Sequence, residues 1–190
     1  MAEPVIRCFI AVPLDPRTQE AVAAVARPLV AAGRPVKWVE PHNLHFTLKF
    51  LGDVPERKLG AVGRAVSRGV SGFPRFEVVM GGVGTFPPGK PPRVVWLGVR
   101  GGRDTLADLA AAVDRELVRE GFPAEKRAFA PHLTLGRVRI PTGDPALSAA
   151  IGALAPVEVG PVWMERVCLM KSTLTPSGPI YGEIEGWSLQ

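Results

Sequence analysis

The sequence predicts a mixed α and β domain of two like halves that meet at a cleft, and three observations predict it. The phrase His45-Phe46-Thr47-Leu48 returns 87 residues later as His132-Leu133-Thr134-Leu135. Each copy sits in the same order of elements: strand, helix, strand, strand with His-x-Thr, helix, strand. The lead-in is also nearly equal, 40 residues from Val5 to His45 and 38 from Val94 to His132. Two such halves pack about a pseudo-twofold axis and bring the repeated strands together where ligand sites commonly form. A period this long exceeds that of a solenoid repeat.

Each element has its own signal. Residues 5–12 read as a strand ended by Pro13. Asp15 is a helix cap and Pro16 suits a first turn. The helix runs to about Ala32, with Val22, Val25 and Leu29 on one face, Pro28 inside it, and Gly33 closing it. Residues 36–39 make a short strand, and 44–51 a strand with clear alternation. A second helix spans about 55–70, striped by Leu59, Val62, Val66 and Val70, and 75–83 reads as a strand. The segment Thr85–Pro92 carries four prolines and Gly89, the best candidate for a lobe-to-lobe connection or mobile loop. Residues 93–99 are a strand. Residues 104–120 are a helix with Leu106, Leu109, Val113 and Leu117 on one face, stopped by Gly121. Residues 126–130 and 132–138 read as paired strands. A short helix at 145–154 precedes strands near 158–171 and at 179–186. The chain is read as one domain, 1–190, with pseudo-repeats at about 5–84 and 93–171.

A chain of 190 residues is sufficient for one substantial core. No apolar run reaches the roughly 18 residues of a membrane span, and the first fifteen residues lack a signal-peptide pattern; the expected location is the cytoplasm. Cys8 and Cys168 lie in apolar strand-like runs and read as inert buried thiols. Two Cys and three His at these spacings form no standard zinc pattern. The net charge of +5 favours a polyanionic partner such as RNA, although the basic residues are scattered. One Asn, two Gln and 20 Pro fit a heat-adapted source or a GC-rich genome equally.

Alternation along 44–50 sets Leu44, Phe46, Leu48 and Phe50 toward a core, and His45, Thr47 and Lys49 toward the opposite face. In the second copy Leu133 and Leu135 oppose His132 and Thr134. Eight threonines in the chain make two His-x-Thr pairings among three histidines a roughly 1% accident, so the repeat is read as a site rather than as core-edge histidines. A phosphodiester reacts when it has a base for the nucleophile, an acid for the leaving oxygen and donors for the non-bridging oxygens. Two imidazoles supply the first two, one neutral and one protonated, with a bell-shaped pH dependence. The threonine hydroxyls serve as donors.

With Asn43-Leu44-His45-Phe46-Thr47-Leu48-Lys49-Phe50-Leu51-Gly52 and Pro131-His132-Leu133-Thr134-Leu135-Gly136-Arg137, the chain resembles the two-histidine (2H) phosphoesterases. The branch it looks most like is the RNA 2′,3′-cyclic phosphodiesterases, also called 2′-5′ RNA ligase-like or LigT-like proteins. The likeness extends to Arg7-Cys8-Phe9-Ile10-Ala11-Val12, Trp96-Leu97-Gly98, and Leu169-x-x-Ser172 with Gly178 and Tyr181. It implies a bilobal α+β fold, with antiparallel sheets flanking a central cleft and helices outside. It further implies a phosphoric diester hydrolase that opens an RNA 2′,3′-cyclic phosphate to a 2′-phosphate without metal or other cofactor. Its substrate would be an RNA end, tRNA halves included, and the protein a monomer. His45 is then assigned to protonate the 3′ oxygen and His132 to activate water, although motif symmetry permits the exchange. With an RNA 5′-hydroxyl in place of water, the reverse course joins ends by a 2′-5′ bond.

The same resemblance makes Arg137 a phosphate contact beside Thr47 and Thr134. Strict alternation puts Arg137 on the face opposite His132, so it requires a bulge or a strand end to reach the cleft. Lys49 has cleft parity but also suits a solvated strand. His42 lacks a Thr partner and reads as loop. Phe9, Trp38 and Tyr181 serve either as base-stacking platforms or as core. Ser172 either orders the cleft or caps local backbone. Arg64, Arg68 and Arg75 either track RNA or solvate a helix. Competing functions are a phosphodiesterase of small cyclic nucleotides or 2′-5′-linked oligonucleotides, a non-catalytic RNA-binding protein, and a metallohydrolase, for which the sequence offers no carboxylate or Cys cluster.

Overall fold

Short β-branched runs broken by Pro and Gly alternate here with amphipathic stretches, and most become the expected element. The computed structural model describes residues 3–32, 36–140, 143–176 and 178–190. Along these run β1 (Val5–Pro13), α1 (Pro16–Ala32), β2 (Val36–Trp38), β3 (His45–Pro55), α2 (Leu59–Val70), β4 (Phe76–Phe86), β5 (Val94–Gly101), α3 (Arg103–Arg119), β6 (His132–Val138), α4 (Pro145–Ala153), β7 (Glu158–Met164), β8 (Arg166–Thr175) and β9 (Gly178–Ser188). Asp15 caps α1 by accepting from Thr18 N–H at 3.1 Å. The reading of Gly33 as the helix stop lies outside the described residues.

The strands pair antiparallel in the order β7-β4-β5-β6-β3-β1-β8-β9, with β2 added on β6. This path has a waist. Between β3 and β6 a single residue pair is in register, Phe46 with Leu133. On one side lies the half-sheet β3-β1-β8-β9, backed by α2 and α3; on the other lies β7-β4-β5-β6-β2, backed by α1 and α4. The fold is bilobal α+β with antiparallel half-sheets and helices outside. The predicted helix stripes are the buried ones: Leu106, Leu109, Val113 and Leu117 on α3, and Val62, Val66 and Val70 on α2.

Three expectations differ from the structure. Residues 126–130 are not a strand. Both edges of β6 are already occupied, by β5 on one side and by β3 and β2 on the other, so nothing remains for them to pair with. The proline-rich 85–92 segment is not a lobe-to-lobe connection. It turns the β4–β5 hairpin within one half-sheet, where Phe86 pairs with Val94. The 158–171 region divides at Glu165 into β7, which pairs with β4, and β8, which pairs with β1. No helix among the described residues is long and apolar enough to cross a membrane.

Candidate active site

The waist is where the repeated phrase meets itself. Phe46 faces Leu133 across the two antiparallel strands. One step either way puts His45 opposite Thr134 and Thr47 opposite His132, all on the face away from the Phe46–Leu133 pair. The two histidines are therefore diagonal neighbours on one face, a relation that sets residues about 7–8 Å apart.

Both strands carry the same irregularity. On β3, Thr47 pairs with Ala11 and Lys49 with Ile10, so Leu48 is an extra residue. On β6, Thr134 pairs with Trp96 and Gly136 with Val95, so Leu135 is an extra residue. A bulge puts two consecutive side chains on one side and reverses the parity beyond it. Leu48 and Lys49 are therefore both buried, as are Leu135 and Gly136. The bulge that Arg137 requires is the one at Leu135, and Arg137 lines the cleft.

The identical bulge at Leu48 overturns two readings of β3. Lys49 turns away from the cleft. Its ammonium donates to the Asp114 carboxylate on α3 and to the Pro123 carbonyl at 2.6 Å, with only 5% of the side chain exposed. Phe50, assigned to the core by alternation, is half-exposed in the cleft, with the Arg7 guanidinium 4.7 Å above its ring. Position five after each histidine thus reaches the site, as Phe50 in one copy and Arg137 in the other.

The imidazoles are oriented by one device used twice. His45 Nδ1 lies 2.7 Å from the Asn43 carbonyl, and His132 Nδ1 lies 2.7 Å from the Ala130 carbonyl. A carbonyl only accepts, so each Nδ1 carries a proton and each Nε2 is the reactive nitrogen. His45 Nε2 is 3.1 Å from the Thr47 hydroxyl. Aromatic rings hold the other faces. Phe9 and Tyr181 lie 4.9 Å and 5.4 Å from His45, and Phe86 meets His132 edge-on at 5.1 Å. Burial among these rings pushes the His45 pKa below the ordinary imidazole value; the Asn43 hydrogen bond opposes that and the nearby Arg137 charge adds to it.

A cavity of about 120 Å³ joins these groups, lined by His45, Thr47, Thr134 and Arg137 together with Phe9, Phe50 and Tyr181. Val39, Asn43 and Ser172 complete it. His132 stands beside the cavity rather than in its lining. Of the three candidate stacking rings, Trp38 is absent from it. Trp38 packs on the core side of β6, where a Cβ on Gly136 would come within 2.7 Å of the indole. His42 is exposed on a 3-10 turn, as expected of a loop residue. Arg68 binds Glu116 of α3 and Glu120 just after it, and Arg75 lies over Trp163 and 3.9 Å from the Glu165 carboxylate, so neither points a free charge at RNA. The thiols are free and buried; desolvation raises Cys8 to about 11 and Cys168 to about 12, leaving both unreactive.

Residues 14–175 match the model of the 2′-5′ RNA ligase superfamily. The chain belongs to this superfamily. Within it, a Methanothermobacter thermautotrophicus protein named RNA 2′,3′-cyclic phosphodiesterase is 44% identical, over 97% of this chain and 99% of its own. A Thermotoga maritima protein of the same name is 37% identical over 93% and 91%. Among solved structures, a Thermus thermophilus protein superposes with a TM-score of 0.80 at 30% identity, covering 97% and 98%. Escherichia coli LigT complexed with 3′-AMP superposes with a TM-score of 0.76 at 25% identity, covering 98% and 99%. As a superfamily member of the RNA cyclic phosphodiesterase branch, the chain is an enzyme with the 2H phosphoesterase fold.

Proposed function

We propose that this protein hydrolyses the 2′,3′-cyclic phosphate of an RNA end to a 2′-phosphate, with His45 and His132 as its acid–base pair and no metal in the reaction. The observation that carries the reading is the Phe46–Leu133 register, with an imidazole and a hydroxyl from each strand on one face beside Arg137. The shared name of the 44% and 37% identical relatives supports cyclic phosphate as the substrate.

His132 Nε2 takes a proton from water, and the water oxygen bonds to phosphorus. The bond from phosphorus to the 3′ oxygen breaks, and His45 Nε2 gives that oxygen its proton. The products are a 3′-hydroxyl and a 2′-phosphate, and each imidazole returns to its starting state by proton exchange with solvent. Thr47, Thr134 and Arg137 donate to the non-bridging oxygens as charge gathers there. Burial lowers the His45 pKa in the free protein and so favours its neutral form; to act as acid above that depressed value, it takes up a proton together with the substrate. The phosphate makes that possible, because its negative charge opposes both desolvation and Arg137. Phe9, Phe50 and Tyr181 offer ring faces and edges to the terminal base.

The test is product analysis in EDTA on a short RNA with a 2′,3′-cyclic phosphate end. A 2′-phosphate product is expected. A 3′-phosphate product would reverse the leaving group, and loss of turnover on chelation, restored by a divalent metal, would refute the metal-free course.

A further inference from the structure

Beside the cavity runs β2, a strand to which sequence reading assigns only structure; Val39, directly after it, is part of the lining. Lys37 on β2 pairs directly with Arg137 on β6. Residues directly opposite in an antiparallel pair share a face, with Cα atoms about 5 Å apart. That face is the cleft face, because Arg137 lines the cavity and so does Val39, two residues beyond Lys37. Val36 and Trp38 take the other face and cover Gly136. The Lys37 ammonium lies against Gly178 at the tip of the β8–β9 hairpin, in the opposite lobe. One cation therefore lines the cavity and the next stands beside it on the same face.

The rim around Arg137 is basic. Many basic side chains elsewhere are neutralised by carboxylates, as in Lys49–Asp114, Arg68–Glu116, Arg100–Glu158 and Arg166–Glu183. Among the described residues, Arg137 and its exposed neighbours Arg93 and Arg139 make no ion pair with a carboxylate. Arg93 is held at this edge by its carbonyl, which accepts from Val138 N–H at 2.9 Å. The β2–β6 rim is thus cationic, whereas the opposite cavity wall is aromatic, with Phe9, Phe50 and Tyr181.

We infer that Lys37 is a second phosphate subsite, which holds the phosphodiester immediately upstream of the terminal nucleotide and makes an RNA strand a better substrate than a mononucleotide. This rests on the proposed cyclic phosphodiesterase activity and names what that site selects. The terminal base goes to the aromatic wall, the cyclic phosphate to the two His-x-Thr strands and Arg137, and the chain leaves over Lys37 toward Arg93 and Arg139. A lysine binds such a phosphate as a point charge and releases a counterion.

The experiment compares a mononucleoside 2′,3′-cyclic phosphate with a dinucleotide that has the same cyclic end and one upstream phosphodiester. Wild type, Lys37→Ala and Lys37→Arg are assayed on both. Lys37→Ala is expected to lower kcat/KM on the dinucleotide about tenfold, through KM, the scale of one charged hydrogen bond. It is also expected to reduce the magnitude of the salt slope of dinucleotide KM by about 0.7, the single-strand value for one phosphate. Turnover of the mononucleotide stays within about twofold, which also shows that the variant is folded, and Lys37→Arg retains dinucleotide activity. Equal losses on both substrates would make Lys37 a structural latch to the hairpin and overturn the inference, as would no loss on either. A wild-type protein inactive on both would remove the proposed activity itself, a separate outcome from a Lys37 variant that treats the two substrates alike.

Discussion

Strand β3 and strand β6 each present a histidine with Nδ1 fixed by the carbonyl two residues upstream, a hydroxyl two residues on, and an extra residue after that. They part company at the next two positions. On β3 these are Lys49, buried against Asp114, and Phe50, open to the cavity; on β6 they are Gly136, covered by Trp38, and Arg137. In the proposed reaction the shared part is what an acid–base pair requires, because both imidazoles need the same tautomer and the same approach to phosphorus. The differing part is what a nucleotide requires, because a base and a phosphate need different walls. Under the proposed reaction, two like strands thus supply symmetric chemistry and asymmetric binding.

That comparison can be broken at its differing positions. Arg137→Ala is expected to lower kcat/KM on a cyclic-phosphate RNA about 100-fold, the scale of losing one donor to a developing oxyanion. A loss no larger than that of Phe50→Ala would make the two walls equivalent. Lys49→Ala strands the Asp114 carboxylate and is expected to cost about 2 kcal/mol in chemical denaturation, below the fully buried range because Asp114 remains 24% exposed. Its kcat should stay near wild type at temperatures where it is folded; a large drop would return Lys49 to the site. Phe50→Ala is expected to raise KM about tenfold with little change in kcat, the size of one lost base stack.

The smallest effect concerns pH. Burial and Arg137 both lower the His45 pKa. In the free protein an NMR titration of His45 is therefore expected to have its midpoint below about 6.5, and Arg137→Ala should move it upward. If His45 is the acid, kcat/KM falls as pH rises through that depressed value, while the kcat limb lies higher because bound phosphate restores the proton. A kcat/KM profile that instead gains activity as His45 loses its proton would exchange the two roles.

Much of this site is legible in the sequence because it is periodic. The repeated phrase marks both histidines and both threonines, and helix stripes such as Leu106, Leu109, Val113 and Leu117 come out buried as spaced. Parity fails where the ladder slips. A period of two cannot register an extra residue, so Phe50 reads as core and Lys49 as cleft although both lie beyond the bulge at Leu48. The signal was present in the duplication: Arg137 needs a bulge after its motif, and a like bulge in the first copy moves Phe50 to the matching place. Lys37 is silent for another reason. Its position depends on β2 pairing with β6, a contact between strands about 100 residues apart that no local pattern encodes.

The most direct test of the paired histidines is kcat for His45→Ala, His132→Ala and the double variant on an RNA with a 2′,3′-cyclic phosphate end. Each single change is expected to lower kcat by about 10²–10⁴ with the fold intact. The double variant should fall little further, because residues that act as a unit are not additive. Either single variant turning over within a few-fold of wild type would contradict the account.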